Sequence, residues 1–286
     1  MTSNFNNYLS LIKFSHTIFA LPFAFIGFFL ASQHFGYTFE WQTLCLVILC
    51  MVFARSAAMA FNRYLDRDID AKNPRTATRE IPAGIVSPQQ ALAYVLLNCG
   101  LFVATTFFIN PLCFYLSPVA LAVVLVYSYT KRFTALCHFV LGLGLALAPV
   151  GAFLAISQEF RLLPVLFGVL VLFWVSGFDI IYAMQDEEFD KSLQLHSIPT
   201  LLGKKNALRL SSFLHFSCAI LLLAIGFLAN FGLFYWLGTA IFVGLLFYQH
   251  TLVSENDLSK VNLAFFTTNG VASVVFAIFV MLELFL

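Results

Sequence analysis

The feature that most constrains this chain is a recurring stretch of about 20 mostly apolar residues, the length that carries an α-helix across a bilayer's hydrocarbon core. Nine such stretches run approximately over 14–33, 42–61, 89–109, 112–130, 134–156, 162–183, 207–229, 231–250 and 262–285. They lack the alternation of half-buried strands. In hydrocarbon every backbone polar group must find its partner within the protein, so these runs predict helices. Turn signals punctuate them, among them Asn110-Pro111 and the Asn230 to Gly232 segment. The chain is 61% hydrophobic and 10% charged, where a soluble domain is about a quarter charged. The expectation is an all-α integral membrane bundle of nine transmembrane helices, one membrane-embedded domain over residues 1–286. No secretory signal is expected, because the first apolar stretch is long and many more follow. A net charge of +1 argues against a nucleic-acid partner. The six cysteines form no C-x-x-C pair and the six histidines no H-E-x-x-H spacing. Both sets read as packing or interfacial residues.

With nine spans the charges segregate. Lys13, Arg63, Arg67, Lys72, Arg75, Arg79, Lys131, Arg132, Lys191, Lys204, Lys205, Arg209 and Lys260 fall on one side, only Arg161 on the other, and Arg55 lies inside the second span. By the positive-inside rule the basic side is cytoplasmic and so is the N-terminus.

Two connections on that side are unlike the rest. In the first, Asn62, Asp66 and Asp70 are spaced four apart, which stacks them on one face if the second helix continues out of the membrane. In the second, Asp179, Tyr182, Asp186 and Asp190 fall at helical offsets and form a second predicted stripe. Carboxylates stacked this way repel each other, and at a helix C-terminus they also oppose the dipole. A divalent cation removes both conflicts. Carboxylate and amide oxygens suit Mg2+, which typically takes one or two carboxylates and completes its shell with water and phosphate. Both spans run outside to inside, so both motifs emerge on the same face. The two cores are offset by 120 residues, as in a duplicated four-helix unit. Asp68, Glu187 and Glu188 lie off the stripes and read as solvated charges. Arg67, Arg75, Arg79, Lys131 and Arg132 flank the motifs and suit phosphate oxygens. Arg55 sits two turns deeper than Asn62 on the same face, where an intramembrane guanidinium requires a polar cavity.

The segment from Asn62 to Gly84, with its following Asn73-Pro74-Arg75-Thr76, resembles the first signature of the UbiA superfamily of membrane prenyltransferases. Asp179 to Asp190 followed by His196-Ser197-Ile198-Pro199 resembles the second signature, and Tyr127-Ser128-Tyr129-Thr130-Lys131-Arg132 a shorter third element. The chain is similar to 4-hydroxybenzoate polyprenyltransferases, especially the variant of futalosine-route bacterial menaquinone synthesis, on Asn62-Arg63 and Arg79 to Gly84. It departs from them at Glu80-Ile81-Pro82, where they tend to show Arg-Pro-Leu, and this leaves the aromatic acceptor open.

The resemblance implies transfer of a polyprenyl chain from its diphosphate to an aromatic acid, in ubiquinone or menaquinone biosynthesis, at the cytoplasmic face of a bacterial inner membrane. It implies Mg2+ on Asn62, Asp66, Asp70, Asp186 and Asp190, with Arg67, Lys131 and Arg132 stabilising the leaving group. Arg79 belongs with these diphosphate-binding residues. Tyr127, Tyr129 and Tyr182 would face the allylic cation, Arg55 or Arg132 the acceptor's carboxylate, and Asp179 the ring proton. Alternatives are a haem farnesyltransferase or another member of the superfamily, and a transporter. A transporter would place its polar groups near the bilayer midplane, whereas here they cluster at one surface.

Overall fold

A computed structural model describes residues 19–286. All regular structure among them is helical. Helix α1 (Leu21–Phe29) runs on into a π-helical turn, Leu30–His34. Then follow α2 (Trp41–Asp70), α3 (Pro88–Ile109), α4 (Pro111–Thr130), α5 (Cys137–Ser157) and α6 (Leu162–Ala183). A 3-10 turn, Met184–Asp186, leads into the short α7 (Glu187–Ser192). The chain ends with α8 (Ile198–Ala229), α9 (Leu233–Thr251), a π turn (Leu263–Thr268) and α10 (Asn269–Phe285). Eight helices are long and apolar enough to cross a membrane, and Leu21–His34 is a ninth, shorter apolar helix. Among the described residues the helices fall at the predicted stretches, with α2 and α8 extending beyond theirs. The start of the first stretch, 14–18, and Lys13 lie outside the described residues. Large apolar side chains such as Phe107, Phe108, Phe227 and Phe247 are well over half exposed. Exposed apolar surface on this scale faces lipid, and the protein is an integral membrane protein.

The chain forms two compact units, one containing residues 42–129 and the other residues 19–41 and 130–286. In the first, Ala60 on α2 packs with Ile81 and Val86 of the connection and with Ala91 and Val95 of α3. Two intramembrane hydroxyls bond carbonyls of their own helices. Pro118 deprives the Phe114 carbonyl of its helical donor, and the Ser117 hydroxyl donates to that carbonyl at 2.7 Å. Thr105 likewise donates to Leu101 O at 2.7 Å.

In the second unit α6 is the hub. It packs against α5 and α8, and α1 packs against α5 and α10. Trp174, fully buried on α6, touches Phe23, Phe178 and Phe242. Its indole N–H donates to Asn269 Oδ1 at 2.9 Å, while Asn269 Nδ2 donates to the carbonyls of Ala264 and Phe265 at 2.9 and 3.0 Å. Those carbonyls belong to the π turn, whose widened ladder strands backbone acceptors. One asparagine therefore satisfies both the turn and the core indole. Ser211 Oγ donates to Gly177 O at 2.7 Å, and a Cβ on Gly177 would lie 2.4 Å from the His215 ring. Small residues at such crossings allow helices to approach closely in lipid. Glu159, on the loop between α5 and α6, is bonded by the Tyr37 hydroxyl from the α1–α2 connection and by the Arg161 guanidinium, which hold its carboxyl below the usual range.

Replacing Asn269 by Leu leaves the buried Trp174 N–H without its partner and removes two bonds to the π turn. The expected cost is about 1–3 kcal/mol, read as an earlier thermal unfolding transition in detergent.

Candidate active site

Helix α2 does not stop at the membrane boundary. It stays helical to Asp70, so Asn62, Asp66 and Asp70 lie one above another as the spacing predicts. Asn62 Nδ2 donates to Asp66 Oδ2 at 3.1 Å. Asp66 and Asp70 are buried, 2% and 4% exposed. The connection then folds back on the helix end. The Thr76 hydroxyl donates to Asp70 O at 3.1 Å, Arg75 N–H to Asn73 Oδ1 at 2.9 Å, and Val86 N–H to Glu80 O at 3.0 Å. This ordered cap delivers Arg79 to Asp70, with guanidinium to Oδ1 at 2.6 Å. The other oxygen, Asp70 Oδ2, is buried without a hydrogen-bond partner. Arg63, 5% exposed, interacts electrostatically with Asp70, Glu80 and Arg79.

Three carboxylates and two guanidiniums thus share this region, with Asp70 Oδ2 unanswered. A buried carboxylate without full pairing is costly, and a cation at Oδ2 relieves that cost. Among the described residues no three His, Cys, Asp or Glu side chains gather as a protein-only metal site. Two carboxylates and an amide fit Mg2+, which draws its remaining ligands from water and phosphate. The donor set therefore fits the ion that the sequence implied.

The second motif departs from the expected geometry. The expected single helical stripe is broken, because α6 ends at Ala183 and residues 184–186 form a 3-10 turn. Gln185 Nε2 takes up the Tyr182 carbonyl at 2.8 Å, and Met184 N–H bonds back to Ile181 O. A 3-10 turn advances about 120° per residue against about 100° in an α-helix, so three residues rotate the later carboxylates by about 60°. Asp186 and Asp190 are partly exposed beyond this break. Glu187, expected to be solvated, is instead 7% exposed and paired with Lys191 at 2.6 Å. Asp68 and Glu188 are exposed as expected.

Asp179 stays inside α6. Its Oδ2 lies 2.6 Å from His138 Nδ1 at the start of α5. The Tyr182 ring stacks on Phe265 at 4.1 Å. The segment after the acidic motif is stitched to the turn after α4, with His196 N–H donating to Lys131 O at 2.7 Å. Ser197 then caps α8 through a reciprocal bond with Thr200.

The remaining expected residues divide. Arg55 lies in the middle of α2 with Nε sealed from solvent and without a partner, and its charge interacts with Tyr127. Tyr127 is half-buried, whereas Tyr129 is 42% exposed beside Phe61. Arg67 turns back on its own helix, donating to Tyr64 O at 2.7 Å and lying over the Tyr64 ring. Lys131 and Arg132 are half-buried in the turn after α4. Sequence reasoning missed Arg63, Glu80 and His138 as parts of the site. Arg63 carried a usable signal, since it lies seven residues before Asp70 on the same face. Glu80 and His138 carried none.

Residues 20–271 match the sequence profile of the UbiA prenyltransferase family. The chain belongs to this family. It is 31% identical over 240 residues to the 4-hydroxybenzoate octaprenyltransferase of Aliivibrio fischeri (strain MJ11), covering 83% of this chain and 82% of that one. It is 32% identical over 237 residues to the enzyme of the same description from Nitrosospira multiformis, covering 82% and 80%. The apo structure of a UbiA homolog from Aeropyrum pernix K1 superposes with a TM-score of 0.84 at 33% identity, covering 94% of this chain and 98% of that one. A UbiA homolog from Archaeoglobus fulgidus bound to GPP and Mg2+ shares the fold, with a TM-score of 0.72 at 22% identity over 98% and 100% of the two chains. The transporter alternative falls with this membership.

Arg79→Met removes the only cation hydrogen-bonded to Asp70 among the described residues. The expected loss is about 1.5–3 kcal/mol, the range of hydrogen bonds to charged groups. It should show as a lower unfolding temperature that millimolar Mg2+ partly restores, and that is smaller when Asp70 is already Asn.

Proposed function

We propose that this UbiA family protein transfers a polyprenyl chain from polyprenyl diphosphate to an aromatic acid of the 4-hydroxybenzoate or dihydroxynaphthoate type, in ubiquinone or menaquinone biosynthesis. The observation that carries the reading is the buried Asp66–Asp70 pair, with Asp70 Oδ2 unpartnered and guanidiniums of Arg63 and Arg79 close by. It is supported by relatives described as 4-hydroxybenzoate octaprenyltransferases and by a homolog described with GPP and Mg2+.

In this reading Asn62, Asp66 and Asp70 hold one Mg2+, and Asp186 and Asp190 hold another. Bound magnesium supplies neutralisation of the charge that develops on the diphosphate as it departs. Arg67, Arg79, Lys131 and Arg132 add cationic donors to the same oxygens. The C–O bond of the substrate breaks with its electron pair going to diphosphate, which leaves an allylic cation. A ring carbon of the acceptor bonds to that cation, and the proton on the same carbon passes to Asp179. Tyr127 and Tyr182 present aromatic faces to the cation, and the apolar bundle keeps water from it. Arg55, inside a spanning helix with Nε unpartnered, receives the acceptor's carboxylate. The polyprenyl tail enters from the bilayer. The concentration of basic residues on one side supports a cytoplasmic site in a bacterial inner membrane.

The test is prenyl transfer by the purified protein in nanodiscs, with a polyprenyl diphosphate, Mg2+ and a panel of 4-hydroxybenzoate, dihydroxynaphthoates and haem. A prenylated aromatic acid formed only with Mg2+ is the expected product. Transfer to haem would replace the acceptor, and an absence of Mg2+-dependent diphosphate binding would sink the reading. Asp66→Ala and Asp186→Ala should each abolish turnover while the unfolding transition stays intact, and near-normal activity in either would remove the metal assignment. Arg55→Ala should raise KM for the acid about 10-fold or more, on the scale of a lost charge-assisted bond, and leave KM for the diphosphate unchanged.

A further inference from the structure

The His138 imidazole joins three parts of the second unit. His138 stands in the first turn of α5, 3% exposed. Its Nδ1 lies 2.6 Å from Asp179 Oδ2 on α6. Its Nε2 accepts the backbone N–H of Ile198, the first residue of α8, at 3.2 Å. A backbone amide only donates, so Nε2 carries no proton while that bond is made, and the ring proton sits on Nδ1. The ring therefore has one available arrangement, accepting from Ile198 and donating to Asp179.

The neighbours reinforce it. His196 N–H holds Lys131 O, and the Cys137 thiol donates to His196 O at 3.6 Å. Ser176 Oγ donates to the His138 carbonyl at 3.2 Å, which fixes the backbone that carries the ring. Asp179 is 21% exposed, and its second oxygen, Oδ1, takes no hydrogen bond from a described residue. The imidazole occupies one carboxylate oxygen and leaves the other uncommitted among the described residues.

We infer that His138 is a positioning residue for prenyl transfer: through its Nδ1–H it sets the rotamer of Asp179 so that Oδ1 receives the acceptor's ring proton. The inference rests on the function proposed above and on Asp179 as the proton acceptor. His138 touches no substrate. The bond to Ile198 selects the ring's tautomer, and the bond to Asp179 uses it. The segment that follows the acidic motif thus reaches the chemistry through the imidazole as well as through Lys131.

Three substitutions separate the two bonds. In His138→Asn the side-chain amide sits near the place of Nδ1 and keeps a donor for Asp179, giving up Ile198. In His138→Gln the amide reaches the place of Nε2 and keeps an acceptor for Ile198, giving up Asp179. His138→Leu gives up both. Each variant is compared with wild type for kcat and KM under the assay above, for Mg2+-dependent binding of a non-reactive prenyl diphosphate analogue, and for thermal unfolding.

The expected pattern is kcat lowered about 100-fold in the Gln and Leu variants, the lower end of the usual range for a proton-transfer group. The Asn variant keeps kcat within a few-fold, and analogue binding stays unchanged throughout. Adding His138→Leu to Asp179→Asn should cost nothing further, because the two act as one unit. Equal losses in Asn and Gln that follow the unfolding temperature would overturn the inference in favour of packing alone. So would normal kcat in the Leu variant, or additive losses in the double variant. A wild-type protein that binds the analogue and transfers to no acceptor would instead overturn the reading of function beneath it.

Discussion

A peptide group in hydrocarbon has no water to bond. That constraint shapes most of what this chain does. It forces helices through the membrane, and it makes each departure from a regular helix require a named partner. Pro118 is accompanied by Ser117, whose hydroxyl meets the carbonyl that the proline strands. The π turn at Leu263–Thr268 is accompanied by Asn269, which answers two of its carbonyls and the Trp174 indole together. Helix α6 accepts bonds from Ser211 and His215 at the carbonyls of Gly177 and Trp174. It is tied from the side at the level just before the acidic motif.

Where the helices leave hydrocarbon the problem reverses. Carboxylates, not carbonyls, now need partners. Asp66 and Asp70 sit nearly sealed at the end of α2, and Asp70 Oδ1 has the Arg79 guanidinium hydrogen-bonded to it. A charge held this way is expensive unless something else arrives. The connection over residues 71–86 is folded into successive turns that keep Arg79 in place and cover the helix end. The cap is thus ordered by its own backbone bonds, with Asp70 Oδ2 left without a hydrogen-bond partner.

The first stripe was legible because α2 carries its periodicity straight through it, so Asn62, Asp66 and Asp70 needed no tertiary information. The second was legible in composition and misread in geometry. A run from Asp179 to Asp190 satisfies helical spacing, yet the Gln185 side chain takes the Tyr182 carbonyl and the backbone tightens to a 3-10 turn. Arg55 stood out in the sequence because an intramembrane guanidinium is conspicuous at any depth, and in the structure its Nε is buried without a partner. Arg67 fitted the pattern of a phosphate-binding residue, and in the structure it donates to the Tyr64 carbonyl and lies over the Tyr64 ring. Glu187 fitted a solvated charge and is buried against Lys191. Each difference comes from a local contact three or four residues away, one of several that the same spacing allows.

The sequence by itself determined the helices, the membrane as solvent and the two acidic motifs, since these follow from local runs of hydrophobicity and from i, i+4 spacing. Tertiary structure alone decided what those motifs rest on. His138 is one of six unremarkable histidines along the chain, 41 residues from Asp179 and 60 from Ile198. Arg79 meets Asp70 only because the intervening connection folds back on the helix end. The physical reason is the same for both. A hydrogen bond between side chains distant in sequence depends on how whole helices pack, and that packing is a property of the assembled unit rather than of any window of residues.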